Sequence, residues 1–354
     1  SSLCAFNRKL NTSTTTFRLT AQPSYFLSFQ TIIGGIAIGL FFGRLLYVLV
    51  DVFVLPGRSI NSFKRSKAKD ASGSSSDAAP WAVVTGATDG IGLEFAQQLA
   101  KKGYNIFLAS RSAEKLGRVA GQIESQSPSV KTKTHAIDFS KPTESDWVKF
   151  EKEVTEIDVA VLINNVGKSH DSAVYFAETP QEEIDAILTI NINSTLRVTS
   201  LVLPNLIERR NGLVLNMGSF AGTFPTPLLA TYSGSKSFLI GWTQALAEEV
   251  ASQGVVVQLI NAFYVSTAMS KIRRSSMMVP TPKQYVRSAL SSIGKAGGAI
   301  GRAHTQTPWF AHAVADWAIS YIVPQKLMLS QSRSMQVQVK KRADRKKAKV
   351  SKAN

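Results

Sequence analysis

Residues 81–100 read Trp-Ala-Val-Val-Thr-Gly-Ala-Thr-Asp-Gly-Ile-Gly-Leu-Glu-Phe-Ala-Gln-Gln-Leu-Ala. The apolar run from Trp81 predicts a buried strand, and the apolar periodicity from Leu93 predicts a helix. Between them, Gly86, Gly90 and Gly92 permit a tight turn and a close approach of backbone to a ligand. The helix N-terminus then points its free N–H groups at that ligand, an arrangement suited to a diphosphate. An unliganded glycine-rich surface turn is the plainer alternative for this stretch taken alone.

Working outward, strands are expected near 81–85, 104–109, 132–137, 157–163, 212–217 and 255–260, with helical stretches between them. Apolar runs separated by crossover-length helices indicate a parallel sheet covered on both faces. The fold class is therefore α/β, a Rossmann-type doubly wound parallel sheet.

The flanks differ in character. Tyr25 to Gly43 carries no charge, and the apolar character continues past Arg44 to Val50, so residues 25–50 are long enough for a transmembrane helix; a buried helical hairpin is the alternative. Residues 1–24 precede it, and a basic and Ser-rich linker, 51–79, follows. Five basic residues lie between Arg58 and Lys69, against Arg8, Lys9 and Arg18 before the span, which orients the catalytic domain toward the cytosol. A reductase domain is expected over 80–275, a substrate- and membrane-associated extension over 276–330 and a basic tail over 331–354. Within the extension, Thr307 to Leu329 is aromatic but interrupted by Asp316 and Pro324, favouring a membrane-surface or re-entrant segment, with a packed core helix also open.

Lys and Arg outnumber Asp and Glu by 41 to 24, a net charge of +17, but much of the excess lies in the run after the span and in Lys340 to Lys352. That distribution suits an anionic membrane surface and argues against nucleic acid as a partner. The single cysteine, Cys4, allows no intrachain disulfide, and His135, His170, His304 and His312 have no metal-ligand spacing.

Chemistry concentrates at two strand ends. Asn164-Asn165-Val166-Gly167 follows one strand, where an asparagine can tie neighbouring strands together and the glycine lets backbone lie near a ribose; an ordinary turn is equally consistent with the spacing. Ser219 ends the next strand, and Tyr232 and Lys236 follow at i and i+4, on one helix face. A phenol is a poor acid at neutral pH, a neighbouring ammonium brings it toward its working range, and a hydroxyl can hydrogen-bond a carbonyl oxygen as negative charge builds there. The strand after Gly103 ends in Ser110-Arg111 with no Asp or Glu for a ribose 2′-OH. Arg111 can instead meet a 2′-phosphate, which favours NADPH, or simply open the following helix.

With these residues in hand, the chain resembles a short-chain dehydrogenase/reductase over roughly 80–275. The resemblance implies a catalytic tetrad of Asn191, Ser219, Tyr232 and Lys236, with Asn193 the neighbouring competitor for the first place. It implies cofactor contacts from Gly86, Thr88, Asp89, Gly90, Ile91, Gly92, Arg111, Asn165, Tyr232 and Lys236. Asp138 is matched to the adenine, a helix N-cap being its simpler role, and Val265 and Thr267 to the nicotinamide carboxamide. One departure stands out: the family's Pro-Gly after the sixth strand is replaced by Asn261-Ala262.

Together with Asn-Asn-Val-Gly, Ala268 to Arg274, the apolar span and the basic tail, this departure resembles the branch of the family that reduces very-long-chain 3-oxoacyl-CoA during fatty acid elongation, in its fungal form. That branch implies an endoplasmic-reticulum membrane protein working beside other elongation enzymes, and the wider family implies a homodimer. Lys271, Arg273 and Arg274 are then candidates for the CoA phosphates or a solvated basic face. The same site on a 17β-hydroxysteroid or another lipophilic ketone is the nearest alternative, and a non-catalytic membrane scaffold is the rival from another class.

Overall fold

The computed structural model describes residues 23–66 and 79–351. Residues 1–22 of the N-terminal segment, with Cys4, Arg8, Lys9 and Arg18, and positions 67–78 of the linker lie outside the described residues.

Seven strands form one parallel sheet: β1 (Trp81–Thr85), β2 (Asn105–Ser110), β3 (Thr132–Ala136), β4 (Val159–Asn164), β5 (Gly212–Met217), β6 (Val255–Ile260) and β7 (Thr305–Gln306), in the order β3-β2-β1-β4-β5-β6-β7. The helices are α1 (Pro23–Phe53), α2 (Gly90–Lys101), α3 (Ala113–Gln126), α4 (Glu144–Thr155), α5 (Gln181–Leu188), α6 (Ser194–Arg209), α7 (Phe220–Thr223), α8 (Ala230–Ala251), α9 (Pro282–Ser291), α10 (Phe310–Tyr321) and α11 (Gln325–Ser351). Alternate strand residues enter two cores. Val84, Leu108 and Ile163 pack with Phe95, Leu99, Leu116 and Tyr285 of α2, α3 and α9. Val83, Phe107 and Leu162 face the opposite way, against Phe150, Val202 and Leu246 of α4, α6 and α8. Burial on both faces is why these strands read as unbroken apolar runs. The strand order reverses between β1 and β4, so the connections leaving their carboxyl ends diverge and open a crevice there.

All six strands expected from the apolar runs are present within two residues at each end. The seventh has only two residues, too few to show a period, and adds to β6 through Leu259 and Ile260. It leads into α10, whose Ala311, His312, Ala313, Asp316 and Trp317 are buried. The stretch read as a membrane-surface or re-entrant segment thus packs on the domain along this face. Its interrupting charge, Asp316, is held by Arg302 and by the Thr307 hydroxyl at 2.6 Å. Of the apolar side chains that suggest a bilayer, Trp317 is buried and Trp309 packs against the core, while Ile322 is exposed.

Residues up to Arg44 form a unit of their own, in which Phe29, Ile32, Ile36, Leu40 and Phe42 are exposed around the helix. The stretch Phe29–Phe53, 25 residues long, is apolar enough to cross a membrane. Gln181–Arg209 meets the same length and composition test, but there Val198, Val202 and Leu206 are buried core residues.

From Leu45 onward the chain belongs to the larger unit. Asp51 is buried and accepts from Gly297 N at 2.6 Å, and Lys295 Nζ donates to the Leu55 carbonyl at 2.6 Å. The first part of the expected linker then runs along the amino ends of the strands. Buried Arg209 donates to the carbonyls of Phe63 at 3.0 Å and Lys64 at 2.9 Å and pairs with Asp158, while Asn211 Nδ2 donates to Ser62 and Arg65 carbonyls at 2.7 and 2.8 Å. Arg58 caps the arrangement, donating to Asn211 Oδ1 at 2.8 Å and lying over the Phe63 ring. Two cations of the basic run, Arg58 and Lys64, are therefore occupied by the domain itself, the latter over Tyr104. Arg209→Ala strips donors from several carbonyls at once and is expected to cost about 2–4 kcal/mol, read as a lower urea midpoint of the solubilised protein. Arg209→Lys should recover little, because an ammonium lacks the planar fork.

Candidate active site

The glycine turn is shaped by contact. Gly86 and Gly90 have φ of +64° and +56°, which side-chain-bearing residues rarely adopt, and a Cβ on Gly92 would overlap the Gly86 carbonyl oxygen and Asn165 Nδ2. Asn165 locks the turn to the end of β4. Its Nδ2 donates to the carbonyls of Thr85 at 3.0 Å and Gly86 at 3.3 Å, and its own N–H and that of Val166 donate to Thr85 Oγ1 at 3.0 and 3.1 Å. Asn165 thus acts on a ligand through the turn it holds. Asp89 is the N-cap of α2, accepting from Gly90 N at 2.7 Å, and Ile91 packs against the core.

At the end of β2, Thr88 Oγ1 and Ser110 Oγ share a hydrogen bond of 2.9 Å, and exposed Arg111 comes next. Asp138 is close enough to Arg111 to feel its charge. Partial burial pushes the Asp138 carboxyl up, but hydrogen bonds from Ser140 and the charges of Arg111 and Lys141 together hold it below the usual range. Asp138 is not a helix N-cap: Thr143 takes that place at α4, in a capping box with Asp146. The glycine cradle and the helix N-terminus beyond it fit the diphosphate of a nicotinamide dinucleotide, with exposed Arg111 at the end of β2 beside them.

The four expected catalytic residues come from three elements around the ends of β4 and β5. A π-helical stretch, Thr189–Asn193, interrupts the passage from α5 to α6 and turns Asn191 inward, fully buried, while Asn193 is exposed. Asn191 clamps Lys168 of the β4 loop, accepting from its N–H at 2.8 Å and donating to its carbonyl at 2.9 Å, and also donates to Ser235 Oγ at 2.9 Å. A Cβ on Gly167 would lie 3.4 Å from Asn191 Oδ1 and 3.6 Å from Lys236 Nζ, so these groups converge on one point.

Ser219 caps α7 after β5. Its loop is pressed onto α8, where a Cβ on Gly222 would come within 2.6 Å of the Lys236 backbone. Tyr232 lies beside Ser219. Burial raises its phenol above the usual value, the neighbouring Ser219 hydroxyl pulls it back, and Tyr264 raises it further. The ammonium expected to lower the phenol is directed elsewhere: Lys236 is 5% exposed, and Nζ donates to the Met217 carbonyl at 2.7 Å. Burial lowers the lysine itself to about 8.

A buried chain that the strand-end motifs only partly announced runs beneath the site. Asn164 Nδ2 donates to Thr199 Oγ1 and Asn216 Oδ1, both at 2.8 Å, and Asn216 Nδ2 donates to Thr243 Oγ1 at 2.9 Å. The Asn164-Asn165 pair was its visible signal. The departure at Asn261 also has a structural account. Its N–H donates to the Gln306 carbonyl at 2.6 Å, continuing the β6 pairing with β7, and its Nδ2 donates to Thr223 Oγ1 at 2.9 Å. A proline there has no N–H to give. Beyond it, Val265 is buried and Thr267 reaches the glycine turn, its Cγ2 3.2 Å from where a Gly90 Cβ would stand. Lys271, at φ +57°, sends Nζ to the Asp171 carbonyl at 2.8 Å, bridging the two loops that flank the site. Among the described residues no group of His, Cys, Asp and Glu could hold a metal ion.

The short chain dehydrogenase family matches residues 80–277, and the chain belongs to it. It is 51% identical over 311 residues, 88% of this chain and 87% of the other, to a very-long-chain 3-oxoacyl-CoA reductase of Mycosarcoma maydis, and 48% identical over 309 residues, 87% and 83%, to one of Aspergillus terreus. Among solved structures, a 7beta-hydroxysteroid dehydrogenase superposes with TM-score 0.63 at 21% identity, covering 72% of this chain and 96% of that one. A short-chain dehydrogenase from Sphingobium yanoikuyae in complex with NADPH superposes with TM-score 0.56 at 24% identity, covering 70% and 97%. These two likenesses concern the fold.

The Lys236 environment makes a pH test possible. A lysine lowered to about 8 in the folded protein and near 10.4 when unfolded leaves the unfolded chain binding more protons between those values. This group's contribution to stability therefore rises with pH across that window. The cofactor-free protein is expected to show such a rise in its denaturant midpoint relative to Lys236→Met. Parallel pH profiles for the two proteins would contradict the lowered value.

Proposed function

We propose that the chain is a membrane-anchored, NADPH-dependent reductase that converts very-long-chain 3-oxoacyl-CoA to the 3-hydroxyacyl-CoA. The observation that carries the chemistry is the buried Tyr232 phenol beside Ser219 at the carboxyl end of β5, with Lys236 one helical turn on. Similarity over most of the chain to fungal enzymes named for that substrate supports the choice of ketone.

When bound, the nicotinamide supplies a hydride to the C3 carbonyl. Ser219 Oγ hydrogen-bonds the carbonyl oxygen as it gains charge, and Tyr232 gives that oxygen its proton. The phenol holds its proton at neutral pH, the form a donor must have, although burial in the cofactor-free protein makes it a weaker acid. Lys236, largely cationic at neutral pH with an affinity of about 8, stands beside Asn191 and Gly167 where it can hold a ribose hydroxyl and carry the returning proton. Asn191 positions the Lys168 backbone and leads the relay toward solvent. Gly86, Thr88, Asp89, Gly90, Ile91 and Gly92 form the diphosphate cradle, Arg111 meets the 2′-phosphate, Asp138 lies toward the adenine, and Val265 and Thr267 face the carboxamide.

The helix Phe29–Phe53 supports an anchor, which we place in the endoplasmic reticulum with the catalytic unit, residues 80–275, in the cytosol. An anchored site suits a substrate whose tail partitions into lipid while its CoA stays in water. Membrane lipid, other fatty acid elongation enzymes and a second copy of the chain are the partners this role implies.

Solubilised protein should oxidise NADPH with a long-chain 3-oxoacyl-CoA. Tyr232→Phe should lower kcat roughly 10²- to 10⁴-fold while NADPH still binds, seen by tryptophan fluorescence. Turnover of a keto-steroid alone would move the substrate to that class, and silence with both would favour a scaffold. Arg111→Ala should raise KM for NADPH about 10- to 100-fold, the scale of a lost charge-assisted contact, with a smaller effect on NADH. Equal effects on the two would remove Arg111 from the 2′-phosphate.

A further inference from the structure

We propose that the rim formed by Tyr175, Phe176 and the basic turn of α11 from Lys340 to Lys346 binds the nucleotide end of CoA, its adenine and its phosphates. This rests on the acyl-CoA function proposed above and assigns a place to the half of the substrate that the reacting residues do not touch.

The segment from Lys168 to Glu178 leads from the reacting groups to this rim. Its start is clamped by Asn191. Farther on, Val174 N donates to the Leu228 carbonyl at 3.0 Å, tying the segment to the loop between Ser219 and Tyr232. It therefore forms one wall of the catalytic crevice and ends at Tyr175, Phe176 and Glu178. Two cationic stretches are bonded to this wall. Lys271 reaches the Asp171 carbonyl and brings exposed Arg273 and Arg274 with it. Lys340 pairs with Glu178 at 2.8 Å and lies over the Tyr175 ring, which docks α11 against the wall; Asp344 shares that helix face, and Lys341 and Arg345, one turn apart on the adjoining flank, are exposed.

The acidic groups on the rim are mostly engaged. Glu178 is taken by Lys340, and Glu183 accepts from Asp171 N and shares a bond with buried His170. Asp344 lies 3.6 Å from Lys340. Asp171 and Glu182 remain exposed on the segment, and the basic turn of α11 stands beside two exposed aromatic side chains, Phe176 63% and Tyr175 38% accessible. Aromatic faces on which a base can stack, flanked by cations for phosphate oxygens, are what the nucleotide end of CoA needs. The assignment also moves Lys271 from its expected role at the phosphates to holding the loop that carries Arg273 and Arg274.

The test compares one long 3-oxoacyl chain carried on CoA with the same chain on pantetheine, which lacks the adenine and all but the thioester arm. The protein is the full chain in a neutral detergent. Lys341→Glu with Arg345→Glu is expected to raise KM for the CoA thioester roughly tenfold relative to the pantetheine thioester, as for a pair of lost phosphate contacts. Tyr175→Ala should shift the ratio in the same direction, and so should added salt in the unaltered protein, by screening the phosphate contacts. A KM ratio unchanged in both variants would overturn the proposal. So would an unchanged ratio accompanied by lost binding to phosphatidylserine vesicles, which would assign the cluster to a membrane surface. If the unaltered protein reduces neither thioester, the acyl-CoA function itself falls and the rim assignment with it.

Discussion

Everything at the site depends on how closely the backbone of Gly92 approaches that of Gly86. The carbonyl of Gly86 and the amide of Asn165 occupy the space a side chain at 92 would need, so the first turn of α2 is pulled tight against the end of β1. That brings the free N–H groups of the helix to the mouth of the crevice between β1 and β4. Asn165 then joins the two strands by bonding the turn from the β4 side. A single close contact so determines where a diphosphate can sit and where the β4 loop begins.

The groups we propose to react take their positions from the same β4 loop. Gly167 lies where Asn191 Oδ1 and Lys236 Nζ meet, and Lys168 is gripped by Asn191 through both of its backbone polar groups. The Asn164–Asn216–Thr243 chain joins β4, β5 and α8 beneath them with every link buried. This buried polar chain gives the helix bearing Tyr232 and Lys236 one register against the strand that ends in Ser219. Burial has an electrostatic consequence as well: it favours the neutral form of both groups, so the tyrosine keeps its proton and the lysine holds its own less firmly.

How much of this could be read in advance follows from how local each signal is. The strands were legible because burial on both faces leaves an apolar run, and the glycine turn because its conformation demands glycine. Tyr232 and Lys236 were legible because helical spacing puts them on one face. β7 was not, since two residues such as Thr305 and Gln306 carry no period and owe their pairing to Asn261 N–H. Nor was the fate of Lys236, because its partner is a backbone carbonyl, Met217, nineteen positions away that no side-chain pattern marks. The aromatic stretch around α10 was ambiguous for a related reason: membrane and core demand the same side chains, and it is the placement of Trp317 and of Asp316, held by Arg302 and Thr307, that shows one face of the helix packed on the domain.

The excess of positive charge makes the same point. Counted along the chain, the cations after the apolar helix and those near the C-terminus look equivalent. In the fold they are not. Arg58 lies over Phe63 and bonds Asn211, Lys64 sits over Tyr104, and buried Arg209 gathers the carbonyls of the segment between them, so that these charges fasten chain to the amino ends of the strands. Lys340 fastens α11 to the opposite end, at the wall that leads from the reacting groups, and leaves its basic neighbours open to solvent. Charge already satisfied by carbonyls and rings adds little to the field at the surface, whereas charge held beside exposed aromatic rings keeps its attraction for phosphate. Among the described residues, positive charge is thus divided by geometry between holding the molecule together, as at Arg58, Lys64 and Arg209, and reaching outward, as beside Lys340.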